Sequence, residues 1–476
     1  MSDDIRTSRS IELLSPFRRS AERHGAIPAV IEGNIPDWLR GEVVRTCPAI
    51  FESGEWRAHH WFDGLGMIYA FRIGDSVVDF RSRLLDSETA RDARRGQALL
   101  GSFGTPTRRP FLRRLFEPVT RISDNTNVNI TRLSPELVAM TEGDRQQVID
   151  EETLAAVRTV EYSKESLNRT IMSAHPHFDF ERGKVLNLAT GFGTGGVLSV
   201  YEHVPAARRR EIVGSWKLKR VPCTRTFGVT PKHAILVAQP LDVSPVKMLW
   251  SSKGYIDHFE WRPEEGTRLA VMDRAGGEVR EHATDPFFFF HTVNAFERGD
   301  ETVLDLLAYP DADFMWQLRT DRMAVRLPEL RPSLMRITLQ SGVERATMEK
   351  LSDVGFEFPS INYKRASGKP YRFAFGASDG HEAGAYTSAV VKIDIESGKA
   401  ASFSDGANIF GEPLFIPRPG GDAEDDGVLL TVGAATDAES SMLAVIDARS
   451  MALVASAKVQ GLIPLGFHGS FLPKKG

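Results

Sequence analysis

The chain lacks most of the features that mark the special classes of protein. Among its 476 residues only Cys47 and Cys223 are cysteines. Two thiols cannot make a disulfide framework, so a reducing compartment is the default expectation. No apolar run approaches the roughly 18 residues that a membrane-crossing helix needs. An excess of one charge is missing too: 59 basic against 63 acidic side chains leave a net charge of −4. Without a positive field to meet phosphates, nucleic acid is not the expected main partner. Met1 to Arg23 is polar and mixed in charge, unlike a secretory signal. Long amphipathic helical patterns and low-complexity linkers are both scarce. A large, soluble, cytoplasmic protein is what these absences leave, and 42% hydrophobic residues are enough to build its core.

What is present is a series of short strand-like runs punctuated by Gly, Pro and Asp, from about residue 40 to the end. Three of them repeat: Arg336-Ile-Thr-Leu-Gln-Ser-Gly342, Lys392-Ile-Asp-Ile-Glu-Ser-Gly398 and Val445-Ile-Asp-Ala-Arg-Ser450. Each reads as a strand entering a polar turn, and the spacings of 56 and 53 residues fit one blade of a β-propeller. The expectation is an all-β chain forming one closed architecture. One further stretch stands apart, Arg108-Arg-Pro-Phe-Leu-Arg-Arg-Leu-Phe116. It can set Phe111, Leu112, Leu115 and Phe116 against lipid while its arginines meet anionic headgroups. It reads equally well as a surface loop with a few buried anchors.

Three histidines sit in distinctive contexts at or near the ends of apolar segments: Ser173-Ala-His175-Pro-His-Phe-Asp179, Phe287-Phe-Phe-Phe-His291-Thr-Val-Asn294 and Gly466-Phe-His468-Gly469. In a propeller the inner strand of every blade lines one axis, so such positions can converge. Neutral imidazoles from different blades would suit Fe, Cu, Ni or Zn. No short-range ligand motif exists, so spacing alone does not establish the site.

Together with other segments, these residues carry a resemblance that runs through nearly the whole chain. The segments are Gly33-Asn-Ile-Pro36, Gly41-Glu-Val-Val-Arg45, His60-Trp-Phe-Asp-Gly64, Asp124-Asn-Thr-Asn-Val-Asn129, Phe356-Glu-Phe-Pro-Ser-Ile-Asn362 and Glu424-Asp-Asp-Gly427. The sequence resembles the carotenoid cleavage oxygenase family, nearer to its animal-type branch that includes the retinoid isomerohydrolase. The resemblance implies a seven-bladed β-propeller with a helical and loop cap over the axis, occupying residues 31–476 after an N-terminal extension of residues 1–30. It implies Fe(II) held by four histidines from four blades, with three glutamates accepting hydrogen bonds from the outer ring nitrogens. By motif, His175, His291 and His468 fall on three ligand positions, and Glu142, Glu357 and Glu424 on the glutamates. A carboxylate on the outer N–H fixes the tautomer of a ligand imidazole and raises its basicity. It implies an apolar tunnel for a polyene as well, for which Trp61, Phe62, Phe289 and Phe290 are candidate lining; apolar side chains at such positions are more often core.

The pattern departs slightly at Arg45-Thr-Cys47-Pro48, a packing variation, and breaks at one residue. The segment matching the remaining ligand reads Thr224-Arg-Thr-Phe-Gly228, with Arg225 where the resemblance expects a histidine. A guanidinium offers no lone pair and stays charged. At about 4 Å and an effective dielectric near 20, each unit of metal charge costs about 4 kcal/mol against it. The glutamate that would serve the missing histidine is Glu142, so a Glu142–Arg225 ion pair is expected, turning the guanidinium away from the axis. Three functions remain open. One is a dioxygenase that adds both atoms of O2 across a conjugated C=C bond of a carotenoid, apocarotenoid or related alkene, giving two carbonyl products. The second is a metal-poor protein that holds a polyene or lipid without turnover. The third is a redox-neutral isomerase, hydrolase or lyase in which Arg225 acts as the catalytic residue on an anionic group.

Overall fold

In the computed structural model the described residues are 25–117, 120–162, 167, 170–204, 209–380 and 386–474. They form seven antiparallel meander sheets of four or more strands, with a small three-stranded sheet and one two-residue hairpin outside them. We number the blades from the first long strand, Gly41–Ile50. Blade 1 pairs that strand with Leu65–Ile73, which pairs with Val78–Leu84. Blades 2 and 3 follow with strands from Asn129–Leu133 to Ala156–Thr159 and from Ile171–Met172 to Arg209–Leu218. Blade 4 runs from Gly228–Val229 to Val279–Thr284, blade 5 from Phe288–Arg298 to Thr347–Ser352, and blade 6 from Glu357–Ser360 to Ala400–Phe403. Blade 7 runs from Asn408–Phe410 to Leu453–Gln460.

The ring is closed from both ends of the chain. Val30–Gly33 adds to blade 7 beside Leu453–Gln460, and Gly469–Pro473 adds to blade 1 beside Gly41–Ile50. Ile27–Pro28 pairs with Asp79 and Phe80 of blade 1, so pairing begins inside the stretch assigned above to the N-terminal extension. Closure leaves no blade with an unpartnered neighbour, which is how this architecture manages its sheet edges.

Packing explains why seven short sheets hold together. The blades twist and stack face to face, and each interface has its own apolar cluster. Leu186, Leu188 and Trp216 of blade 3 meet Phe227, Leu236 and Met272 of blade 4. Ile235 and Val271 of blade 4 meet Phe287, Phe289 and Leu304 of blade 5. Val293 and Val303 meet Phe356 and Ile393 across blades 5 and 6, and Val43 and Phe71 meet Leu430 and Leu443 across blades 1 and 7. Strands buried on both faces need continuous apolar runs rather than strict alternation. The three repeated segments begin within Ser333–Gln340, Ala389–Asp394 and Ser440–Asp447, the third strands of blades 5, 6 and 7, and run into the turns that follow.

A cap over the axis is built from insertions that cross-link one another. Trp61 N–H donates to the Leu318 carbonyl, Thr320 N–H to His59, Ile256 N–H to Phe103 and Thr107 N–H to Ser252. The buried Asp63 carboxylate accepts from Phe103 N–H, Gly104 N–H and the Thr105 hydroxyl at 2.7, 2.9 and 2.7 Å. Gly254 is glycine for a spatial reason: a Cβ there would lie 2.5 Å from the Gly104 carbonyl carbon. No helix among the described residues is long and apolar enough to cross a membrane.

Candidate metal centre

Every blade sends one chemistry-bearing side chain to the axis. His468 stands just before the blade 1 strand Gly469–Pro473, and Glu142 just after the blade 2 strand Glu136–Met140. His175 lies between the two short inner strands of blade 3, and Arg225 in the segment leading into blade 4. His291 is within the inner strand of blade 5, Glu357 opens blade 6, and Glu412 lies between the inner strands of blade 7. Pairing of the blade 5 strand shifts register between Phe289 and Thr292. That bulge turns His291 out of the regular alternation and towards the axis. Phe358, beside Glu357, has a φ of 55°. Backbone strain of this kind persists only where its surroundings over-determine it; here the Phe358 ring lies 5.7 Å from both His291 and His468.

His175, His291 and His468 each present one ring nitrogen, and these atoms all lie within 4.8 Å of one another. His291 Nε2 and His468 Nε2 face each other at 3.2 Å. Their outer nitrogens are held by carboxylates: His291 Nδ1–H donates to Glu357 at 2.6 Å and His468 Nδ1–H to Glu412 at 2.7 Å. A carboxylate accepts only, so each Nδ1 carries the proton and each Nε2 the lone pair. Two lone pairs facing at that distance need a shared proton or a cation between them. Burial, then the neighbouring imidazoles and Arg225, hold the His175 pKa well below its ordinary value. Burial also lowers His468 despite the opposing Glu412 charge. Neutral rings are ligands rather than proton carriers, and two nitrogens at about 2.1 Å from one ion are separated by about 3.0–3.4 Å. The residues therefore fit a metal.

The carboxylates are themselves fixed. Glu357 accepts from the Tyr309 hydroxyl at 2.8 Å. Glu412 accepts from Gly469 N–H at 3.1 Å and from the buried Arg45 guanidinium at 3.3 Å. Burial pushes the Glu412 pKa up, but His468, Arg45 and the Gly469 amide together bring it below its ordinary value. Arg45 also donates to the carbonyls of Glu412 and Phe467, both at 2.8 Å, so one guanidinium ties blade 1 to blade 7 and to the segment carrying His468.

Glu424 is corrected by this arrangement. Its carboxylate accepts the backbone N–H groups of Arg372 and Phe373, at 3.0 and 2.8 Å, in a turn away from the histidines. Glu412 takes the place assigned to it. The missed signal was a single charged residue inside the apolar run Ile409-Phe-Gly-Glu-Pro-Leu-Phe-Ile416, whereas Glu424 stands in a polar turn. Phe289 is corrected as well. Strand alternation sends Phe288 and Phe290 to the axial cluster and Phe287 and Phe289 into the interface of blades 4 and 5. Trp61, Phe62 and Phe290 do line the cavity over the histidines, with Phe314, Phe358, Tyr386 and Phe467. This cavity is narrow, about 40 Å³, room for a few waters. Trp61 also lines a neighbouring cleft of about 750 Å³.

Arg225 Nη1 donates to Glu142 Oε1 at 3.1 Å, an ion pair that spans blades 2 and 4. Burial raises the Glu142 pKa, opposed chiefly by the Arg225 charge. The guanidinium is not turned out of the chamber, contrary to expectation. It lines the cavity with the three histidines and lies 4.6 and 4.8 Å from the ring centres of Phe62 and Phe103. Ser173 links it to His175: its hydroxyl donates to the Arg225 carbonyl and accepts from His175 N–H. The stretch Phe111–Phe116 is a short helix, with Leu112, Leu115 and Phe116 exposed at 67%, 54% and 80%. The side chain of Phe111 lies outside the described residues.

With the geometry in place, comparison with known proteins decides the family. The profile described as retinal pigment epithelial membrane protein matches residues 16–473. The chain belongs to the carotenoid oxygenase family. It is 30% identical to a carotenoid isomerooxygenase of Galleria mellonella, with 96% of each chain covered. It is 28% identical to the human mitochondrial carotenoid-cleaving dioxygenase, covering 98% of this chain and 92% of that protein. Cobalt-substituted apocarotenoid oxygenase of Synechocystis shares the fold at a TM-score of 0.84, with 24% identity over 98% of this chain and 99% of that chain.

Proposed function

We propose that the protein is a non-haem Fe(II)-dependent dioxygenase that cleaves a conjugated C=C bond of a carotenoid, apocarotenoid or related alkene into two carbonyl products. One observation carries the reading: three imidazoles converge under an aromatic cavity, two of them locked by carboxylates in the tautomer a metal needs. His175, His291 and His468 would hold the iron. When bound, iron supplies the redox centre at which O2 becomes reactive. Glu357 and Glu412 keep the inner nitrogens of two ligands unprotonated, and Glu142 neutralises Arg225 so that its charge is not left bare beside a dication. Phe62, Phe290, Phe358 and Phe467 exclude water and present flat faces to a conjugated chain. A cavity of about 40 Å³ cannot hold such a chain, and Trp61 stands between it and the larger cleft. In this reading Trp61 moves to join the two spaces. The exposed Leu112, Leu115 and Phe116 would let a cytoplasmic enzyme touch a membrane surface, where apolar substrates reside.

The test is product analysis of polyene incubations in ¹⁸O2, with the metal content of the same sample. Label in both carbonyl products supports dioxygenase chemistry; product formed without O2 overturns it. A second reading, a polyene-holding protein without turnover, is favoured by the Arg225 cation in the ligand chamber. It requires ligand binding with no product and no iron.

A further inference from the structure

Arg225 is the one cation other than histidine among the residues lining the chamber, and only one of its three nitrogens is used. Its side chain is 10% exposed, yet Nε and Nη2 are buried without a hydrogen-bond partner. The Cys223 thiol also lies beside the guanidinium, but sulfur is a weak acceptor. Unsatisfied buried donors on a charged group are costly, so a native protein carrying them has a reason to do so. Phe62 and Phe103 lie together on one side of the guanidinium, their ring centres 5.1 Å apart, while the Nε–Nη2 edge meets no acceptor. The pair Nε–H and Nη2–H is the fork that matches the two oxygens of a carboxylate. Apart from the three histidines, Glu357 and Tyr386, the rest of the lining is apolar and mostly aromatic.

Charge balance points the same way. The buried axial groups are two guanidiniums, Arg45 and Arg225, and three carboxylates, Glu142, Glu357 and Glu412. A divalent ion on the histidines turns that excess of one negative charge into an excess of one positive charge. One monoanion neutralises it.

We propose that the free edge of Arg225 is a head-group site that selects a conjugated chain ending in a carboxylate over the equivalent neutral molecule. The inference rests on the metal-centre reading for its charge balance and names the substrate class of that site: an acidic apocarotenoid rather than a hydrocarbon carotene. Arg225 is a specificity residue here, anchoring the polar end while the aromatic walls hold the polyene.

The test compares all-trans-retinoate with its methyl ester as probes, read by quenching of tryptophan fluorescence in Zn(II)-loaded protein, where no turnover occurs, and in metal-free protein. The acid should bind at least about tenfold more tightly than the ester, since a hydrogen-bonded charge contributes about 1.5–3 kcal/mol. Arg225→Gln should bring the two within about twofold. Because that change leaves Glu142 buried and unpaired, the neutral pair Glu142→Gln/Arg225→Gln is measured beside it and should show the same loss. Equal affinities in the unmodified protein, or an acid preference that survives both variants, would overturn the site. An Arg225-dependent preference in a protein that takes up no metal would support the site while refuting the metal-centre reading. Metal uptake with no preference would do the reverse.

Discussion

The two sides of the axis use one device on two kinds of base. On the side of blades 1, 5, 6 and 7, Glu357 and Glu412 each hold the outer nitrogen of an imidazole, and the inner nitrogen is left with its lone pair towards the axis. On the side of blades 2 and 4, Glu142 holds the outer edge of a guanidinium, and the result is an ion pair with spare donors. His175, between them, has its place set by Ser173 rather than by a carboxylate. The difference teaches that a carboxylate at the axis does not by itself make a metal ligand. It orients whatever base the neighbouring blade supplies, and the chemistry follows from whether that base retains a lone pair.

The comparison breaks most sharply at Glu412. Glu412→Ala frees His468 and deprives the buried Arg45 of its carboxylate partner, leaving it the Glu412 and Phe467 carbonyls and Tyr69. We expect a loss of about 3–5 kcal/mol in stability, seen as a fall in denaturant midpoint, together with loss of metal. Glu357→Gln is the cleaner counterpart: metal affinity should fall about 10–100-fold, measured by competition with a chelator. On the other side, Glu142→Gln should weaken metal binding by leaving Arg225 uncompensated, and Arg225→His should strengthen it by roughly tenfold or more, each decade requiring about 1.4 kcal/mol. No change on Arg225→His would mean that the two sides do not share an ion.

Acid should act on a third region, the buried histidines next to the axis. Burial lowers His60 to about 3 and His177 to about 4. Both are neutral in the folded protein, so the unfolded chain binds more protons between their ordinary value near 6.5 and those lowered values. Stability is complete above about pH 6.5 and falls as the pH drops through that window, by up to about 1.4 kcal/mol per histidine per pH unit. Thermal melts from pH 7 to 4 should show the decline, with a shallower slope in His177→Asn. The smallest effect separates two adjacent rings. Phe289→Leu should cost less than about 1.5 kcal/mol and leave polyene binding unchanged, whereas Phe290→Leu should alter binding.

Legibility in the sequence follows physical range. The repeated strand-turn segments are local patterns, and they correspond to third strands of consecutive blades. Convergence of His175, His291 and His468 was accessible because a closed ring sends inner-strand ends to one axis. Glu412 was not, since which carboxylate reaches His468 depends on the packing of blade 7 against blade 1. A motif containing Glu424 is equally acidic but lies at a turn. Phe289 was misplaced because four consecutive phenylalanines hide the alternation that sends every second ring to the blade interface. The aromatic pair beside Arg225 draws Phe103 from a cap loop far away in sequence, pinned there by Asp63, and no local pattern announces it.

The central claim is that three histidines hold one metal ion although Arg225 stands where a fourth was expected. Its most direct test is elemental analysis of untagged protein expressed in iron-supplemented medium, alongside His291→Ala. The account predicts close to one iron per chain in the unmodified protein and almost none in the variant. Near-zero iron in the unmodified protein, or equal iron in both, would contradict it.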